Sequence, residues 1–308
     1  MISPEGEQVR NQVKNVIGPM LKATLKTPLA TRRTQFEALM SRTALPSDVE
    51  IKEIEAAGVS CEWVSISSGA SQQSRGVILY LHGGGYNIGS ARSERPLNAA
   101  LASITGHRVL SVDYRLAPEH PFPAALEDAI AVYRWLLNTG RDSRQIIVVG
   151  SSAGGGLALA TLVALRDAGD PLPAGAILLS ALTDLTASGA SYTTNVELDL
   201  LDTPEGIAEV QTYYLGERDP RTPLASPLYA DLHGLPPMLI HVGSDEILLD
   251  DSTHVAERAR AAGVNVRLHV GDGMWHMWQV SAARTPFPEG QEAFQQIGDF
   301  VAGKTFVL

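Results

Sequence analysis

The chain predicts an α/β protein in which eight strands form a mostly parallel sheet covered by helices on both faces. Three observations carry that expectation. The runs Gly76-Val77-Ile78-Leu79-Tyr80-Leu81, Val109-Leu110-Ser111-Val112, Ile146 to Val149, Ala176-Ile177-Leu178-Leu179 and Met238-Leu239-Ile240-His241-Val242 are predominantly apolar, as strands buried on both faces are, and Val264 to Val270, though interrupted by Asn265, Arg267 and His269, is read with them as a strand. Helical stretches separate them, which is the rhythm of parallel crossovers. Before them, Val49 to Ile54 and Cys61 to Ser67 alternate apolar and polar, the pattern of a half-buried antiparallel pair.

Bulk properties narrow the field. At 308 residues, 44% hydrophobic and 19% charged, the chain has the composition of a globular protein with a large core. A net charge of −10, with Lys and Arg dispersed, argues against a nucleic-acid partner. The single cysteine, Cys61, excludes an intramolecular disulfide and fits a reducing compartment. The start Met1-Ile2-Ser3-Pro4-Glu5-Gly6-Glu7 has no basic, apolar leader pattern, and no stretch of about 18 apolar residues occurs. A cytoplasmic protein with no membrane partner is expected.

Taken in order, residues 1 to about 45 carry helical spacing, with Val13, Ile17, Met20 and Leu21 at threes and fours, then Thr34 to Met40 after a break at Pro28. Later helices run from Pro123 to Asn138, through the alanine-rich Gly155 to Asp167, from about Asp250 to Ala262, and from Glu289 to Val301. Asp184 to Pro237 breaks the alternation. More than fifty residues between two core strands are too many for a structureless loop, so a helical insertion at about 184–222 is expected. With helices 1–45 it would form a cap over the carboxyl edge of the 46–308 segment.

The chemistry centres on Gly150-Ser151-Ser152-Ala153-Gly154, which follows a strand and opens a helix. In so tight a turn the central side chain is thrust outward and the flanking positions must lack bulk. A pentapeptide centred on Ser151 would need glycine at 149 and 153, where Val149 and Ala153 stand, so Ser152 is the candidate nucleophile. A serine hydroxyl needs a base, and the base needs a carboxylate to orient it, in the chain order serine, acid, histidine. His276 follows the last strand in Gly271-Asp272-Gly273-Met274-Trp275-His276. His82, His107, His120, His233, His241, His254 and His269 lack that position. For the acid, Asp245, Glu246, Asp250 and Asp251 compete. Asp245 comes first after the strand, whereas Asp250 and Asp251 resemble helix caps and Asp272 sits in a turn-like Gly-Asp-Gly, so Asp245 is expected.

His82-Gly83-Gly84-Gly85 directly follows another strand. Unhindered backbone N–H groups of Gly83 and Gly84, with that of Ala153, can receive a developing oxyanion, a contribution of roughly 3 to 4 kcal/mol per donor. His82 is read as a brace for the loop. Neither a dinucleotide fingerprint nor a P-loop ending is present, and no metal-ligand set is expected.

These two motifs, with Val112-Asp113-Tyr114-Arg115-Leu116-Ala117-Pro118-Glu119-His120-Pro121-Phe122-Pro123-Ala124-Ala125 between them, resemble the bacterial hormone-sensitive-lipase family, the family IV lipolytic enzymes. The resemblance spans about residues 76 to 280. It implies an α/β-hydrolase fold with a helical cap, a small-molecule acyl ester of short to medium chain as substrate, no cofactor, and a homodimer formed through the last strand. It also implies that Arg115 and Glu119 brace the catalytic loops. Three departures stand out: Ser151 where the family usually has Asp, Glu246-Ile247-Leu248-Leu249-Asp250 after the acid, and Met277-Trp278 after the histidine. Tyr86, Asn87, Ile247 and Met277 adjoin the motifs and are expected to line the pocket. Lactone or amide and formamide chemistry on the same triad stays open. A non-catalytic receptor on the fold is disfavoured by the presence of His276.

Overall fold

The computed structural model describes residues 2–67 and 76–303. The strands are β1 (Val49–Ala56), β2 (Val59–Ile66), β3 (Val77–Leu81), β4 (Arg108–Val112), β5 (Ile146–Ser151), β6 (Gly175–Leu179), β7 (Met238–Gly243) and β8 (Val266–Gly271). They form one sheet in the order β1-β2-β4-β3-β5-β6-β7-β8. β2 is antiparallel to both β1 and β4, and all other pairs are parallel. Every residue of β3, β5, β6 and β7 is buried, which is why those segments are continuously apolar. β1 alternates instead, and its Glu50, Lys52, Glu53 and Glu55 keep the outer edge charged, a device against edge pairing.

Helices α1 (Pro4–Gln12), α2 (Gly18–Thr24) and α3 (Leu29–Met40) precede the sheet, with a π-helical turn at Val13–Ile17. Helices α4 (Arg95–Thr105), α5 (Ala124–Asn138) and α6 (Ala153–Ala168) follow among the first strands. The β6–β7 connection holds α7 (Ser191–Thr194) and α8 (Pro204–Val210), the latter continued by a π turn at Gln211–Leu215. The last three helices are α9 (Leu249–Ala261), α10 (Trp278–Arg284) and α11 (Pro288–Val301). α5, α6 and α9 cover one face of the sheet, while α4, α10 and α11 pack together on the other. α4 and α10 lie outside the helices expected from the sequence. α4 begins in Ser93-Glu94-Arg95-Pro96, without a side-chain cap, and α10 is a short helix entered from Met277 at φ 56°.

The N-terminal helices and the β6–β7 insertion interlock. Arg32 on α3 pairs with Glu209 on α8, and Lys22 Nζ donates to the Asp199 carbonyl at 2.9 Å. Gly18 approaches so closely that a Cβ there would sit 2.2 Å from the Leu200 carbonyl oxygen.

Register then decides what the carboxyl edge presents. Leu81 pairs with Gly150, Ser151 with Leu179, Leu179 with His241, and Gly243 with Gly271. The segments that leave β3, β5, β6, β7 and β8 therefore emerge side by side, where open α/β sheets place their sites. The closeness is extreme at Gly154, whose added Cβ would lie 2.1 Å from the Leu81 carbonyl oxygen and 2.3 Å from that of His82. Backbone cannot yield there. Gly154→Ala is expected to destabilise the fold by about 3 kcal/mol, at the upper end for overpacking, and thermal unfolding of the variant checks it.

Candidate active site

Ser152 occupies the turn between β5 and α6 at φ 52°, ψ −121°. A non-glycine residue held at such angles is strained, by an amount of order 1–3 kcal/mol. The turn is fixed from several sides. The Ser152 N–H donates to the Leu179 carbonyl at 2.8 Å, and its own carbonyl accepts from Gly155, Gly156 and Leu182. Gly150 and Gly154 are required by contact, since a Cβ on Gly150 would meet the Gly154 carbonyl oxygen at 2.0 Å.

The glycine loop after β3 lies against this turn. A Cβ on Gly83 would stand 3.2 Å from the Ser152 Cβ, and Gly84 is at φ 109° with the Ile88 carbonyl closing over it. Among the described residues, no hydrogen bond is made by the backbone N–H of Gly83, Gly84 or Ala153. These donors stand free beside Ser152. His82 has the bracing position expected of it: its Nδ1 donates to the Gly83 carbonyl at 2.7 Å, and its ring stacks on Tyr114 at 4.1 Å. Burial lowers its pKa to about 4, so the ring is neutral. The Tyr114 hydroxyl donates to the His82 carbonyl at 2.7 Å, which holds the start of the loop.

His276 follows β8 and is buried, with Nδ1 2.8 Å from Glu246 Oε2. The expectation that Asp245 would face the histidine is corrected by this contact. Asp245 turns toward the N-terminal helix and takes Arg10 at 2.5 Å, while its N–H donates to the Met274 carbonyl. Glu246, one methylene longer and fully buried, folds back under the end of β7. Its Oε1 accepts from the Gly243 N–H and from Ser180 Oγ at 2.7 Å. Ser180 in turn accepts from the Met277 N–H at 3.2 Å, tying the acid to the histidine loop. Nothing local in Gly243-Ser244-Asp245-Glu246 separates the two carboxylates. The discriminating partner, Arg10, lies 235 residues away in sequence.

With Nδ1–H given to Glu246, the other ring nitrogen, Nε2, is left as the acceptor. Ser152 and His276 line one cavity of about 580 Å³ together with Gly83, Gly84 and Asn87. Its apolar wall comes from both parts of the cap, among them Val13, Ile17 and Phe36 from the N-terminal helices and Ile207 from α8. Of the four pocket residues expected, Asn87 and Met277 line the cavity and Tyr86 and Ile247 do not. Tyr86 is consumed by a stack on Tyr214 at 3.7 Å, and Ile247 is sealed in the core with Leu248 lining the cavity in its place.

A second carboxylate, not among the expected site residues, reaches the histidine. Asp202, in the cap loop before α8, places Oδ2 3.2 Å from His276 Nδ1. Burial acts to lower the imidazole pKa, but the charge of Asp202 and the hydrogen bond and charge of Glu246 outweigh it, and the group titrates above the ordinary imidazole range. The Ser151 departure also has a structural setting. Its Oγ is 2.9 Å from the Tyr80 hydroxyl, which donates to Glu94 Oε2 at 2.9 Å. A buried carboxyl, its pKa raised by burial, is thus linked through Tyr80 to the Ser151 hydroxyl. Arg115 and Glu119, implied as braces, pair with Asp128 and with Arg33 of α3.

A serine in a strained turn, a carboxylate-held histidine and free N–H donors on a capped α/β sheet define a serine hydrolase. Comparison with known proteins agrees. Residues 78–280 match the family model of the alpha/beta hydrolase fold. The chain is 40% identical to an acetyl-hydrolase of Streptomyces hygroscopicus over 99% of this chain and 98% of that protein. It is 38% identical to an esterase of Acinetobacter venetianus over 91% and 93%. A crystal structure of an esterase from the bacterial hormone-sensitive lipase family superposes with a TM-score of 0.91, at 44% identity and 99% coverage of both chains. EstE5, solved after soaking with p-nitrophenyl butyrate, superposes at 0.88 with 39% identity and 98% coverage of both. The chain belongs to the bacterial hormone-sensitive lipase family of α/β-hydrolase esterases and is a carboxylic ester hydrolase. Among the described residues, no helix is long and apolar enough to cross a membrane.

Proposed function

We propose that the enzyme hydrolyses short- to medium-chain acyl esters through a covalent acyl-enzyme. Ser152 Oγ attacks the ester carbonyl carbon and its proton passes to His276 Nε2. Glu246 keeps Nδ1–H directed and offsets the positive charge that forms on the ring. The N–H groups of Gly83, Gly84 and Ala153 receive the oxyanion. As the tetrahedral intermediate collapses, His276 returns the proton to the leaving alkoxide, and water then repeats the cycle to release the acid.

The observation that carries this reading is the Glu246–His276 contact, with His276 and Ser152 lining one cavity beside Gly83 and Gly84, whose N–H groups are free. The chain-length preference rests on the cavity. About 580 Å³ with an apolar wall is the size of a small-ligand pocket. Stopped-flow mixing with p-nitrophenyl esters from acetyl to palmitoyl tests both parts. A burst of one p-nitrophenol per Ser152 is expected, with kcat/KM highest for chains of about two to eight carbons. Turnover without any covalent adduct on Ser152, sought by mass spectrometry under quench, would contradict the acyl-enzyme. A maximum at palmitoyl would contradict the assigned chain length.

A further inference from the structure

The cap loop 195–203 is bonded to the turn that carries Glu246. Asn195 Nδ2 donates to the carbonyls of Ser244 and Glu246 at 3.0 and 2.8 Å. Asp199 Oδ2 accepts the Ile247 N–H at 2.8 Å, while its Oδ1 accepts the N–H groups of Leu201 and Asp202 at 2.9 Å each. These bonds fix the loop in the position from which Asp202 reaches over His276. Asp202 Oδ2 has no solvent contact and no hydrogen bond of good geometry, yet lies 3.2 Å from His276 Nδ1. A buried carboxylate oxygen aimed at nothing else is costly unless the charge opposite it repays that cost.

We propose that Asp202 is a positioning residue borne by the cap: with Glu246 it embraces His276 Nδ1, stabilises the imidazolium formed during acyl transfer, and so ties the basicity of the site to the seating of the cap. The inference rests on His276 being the general base. Glu246 is held by the sheet, through Gly243 and Ser180, whereas Asp202 is held by the cap loop, through Asp199, so the two carboxylates reach the imidazole from different parts of the fold. His276 shares its cavity with the charged side chains of Arg32, Arg42, Glu94, Glu209 and Arg284, and further charged groups act at this edge. Asp199 and Asp202 come from the cap loop, Glu246 from the turn after β7, and Lys22 from α2, where it bonds the Asp199 carbonyl. Asp245 in the same turn is occupied by Arg10.

The sign of the pH effect follows. A protonated His276 cannot accept the serine proton, so activity rises with pH as the ring deprotonates. Asp202 favours the protonated ring, and its charge therefore moves that rise to higher pH. Removing the charge shifts the midpoint of the kcat/KM profile down, by about one unit. It also lowers kcat on the alkaline plateau severalfold, with less change in KM, since the lost interaction is strongest when the ring is charged. Asp202→Asn and Asp202→Ala should behave alike. Glu205→Gln, which removes an exposed charge on α8, should leave the midpoint in place. Profiles of p-nitrophenyl butyrate hydrolysis from pH 5 to 10, with melting curves to verify folding, test this. Unmoved midpoints in both Asp202 variants, or an equal shift in Glu205→Gln, overturn the role of Asp202. Retained activity in His276→Ala overturns the underlying assignment and this inference with it; an inactive His276→Ala with unmoved Asp202 midpoints removes the role of Asp202 alone.

Discussion

Ser152→Ala is expected to lower kcat toward p-nitrophenyl butyrate by about 10⁴- to 10⁶-fold. What remains would come from the N–H donors and substrate binding, which still favour the tetrahedral species without a nucleophile. The near-ultraviolet circular dichroism should be unchanged, because the hydroxyl is not used to hold the turn; the backbone N–H and carbonyl of residue 152 do that work. Ser152→Gly extends the test. At φ 52°, ψ −121° glycine relieves strain of about 1–3 kcal/mol, at a chain-entropy cost of about 1 kcal/mol. That variant should be as inactive as the alanine and melt at a higher temperature than the native enzyme. An inactive, more stable glycine variant would show that the turn trades stability for the exposure of one hydroxyl. Activity within tenfold of native in the alanine variant would remove Ser152 from the mechanism.

The eight strands could be read from the chain because their cause is local. Burial on both faces forces continuous apolar runs in β3, β5, β6 and β7, and exposure of one face forces alternation in β1. The nucleophile and glycine loop were legible for a similar reason, since tight turns restrict residue type at fixed spacing. α4 carried Pro96 in its first turn and Gly106 in the left-handed conformation just past its end, signals the helix expectations above do not include, while α10 left weaker traces. Neither has a side-chain cap, and α10 spans only two turns, so their stability comes from packing against each other and α11, contacts that no window of sequence contains. The pocket lining was the least legible part. Tyr86 adjoins the glycine loop yet is turned away by Tyr214, and Asp202 sits at the end of a cap loop, just before the Thr203 cap of α8, in a setting that marks a helix start and not a site. What selects such residues is the approach of the cap to the sheet edge, a long-range fact.

Glu246→Gln and Asp245→Asn form the sharpest pair, because adjacent residues of like charge are assigned opposite importance. Glutamine at 246 keeps the volume and can still bond Ser180 and the Gly243 N–H, but it cannot offset an imidazolium. Its amide can also drive the ring into the tautomer with Nε2–H, which is unable to accept from serine. A loss of about 10³- to 10⁴-fold in kcat is expected, with KM changed little. Asparagine at 245 breaks only the pair with Arg10, whose side chains are 21% and 13% exposed. That should cost about 1 kcal/mol of stability, read in the melt, and leave kcat within about threefold. Because Arg10 lies on α1, the Asp245 pair anchors the N-terminal helix to the catalytic turn, and its loss should be felt as looser cap seating, hence a raised KM for the longer esters, before any loss of chemistry. Swapped results, with Asp245→Asn inactive and Glu246→Gln near native, would return the orienting role to Asp245. They would also mean that the Arg10 contact opens during turnover to release it. Collapse of both variants to the same low kcat would instead make the two carboxylates one unit, with Arg10 setting the charge of the pair.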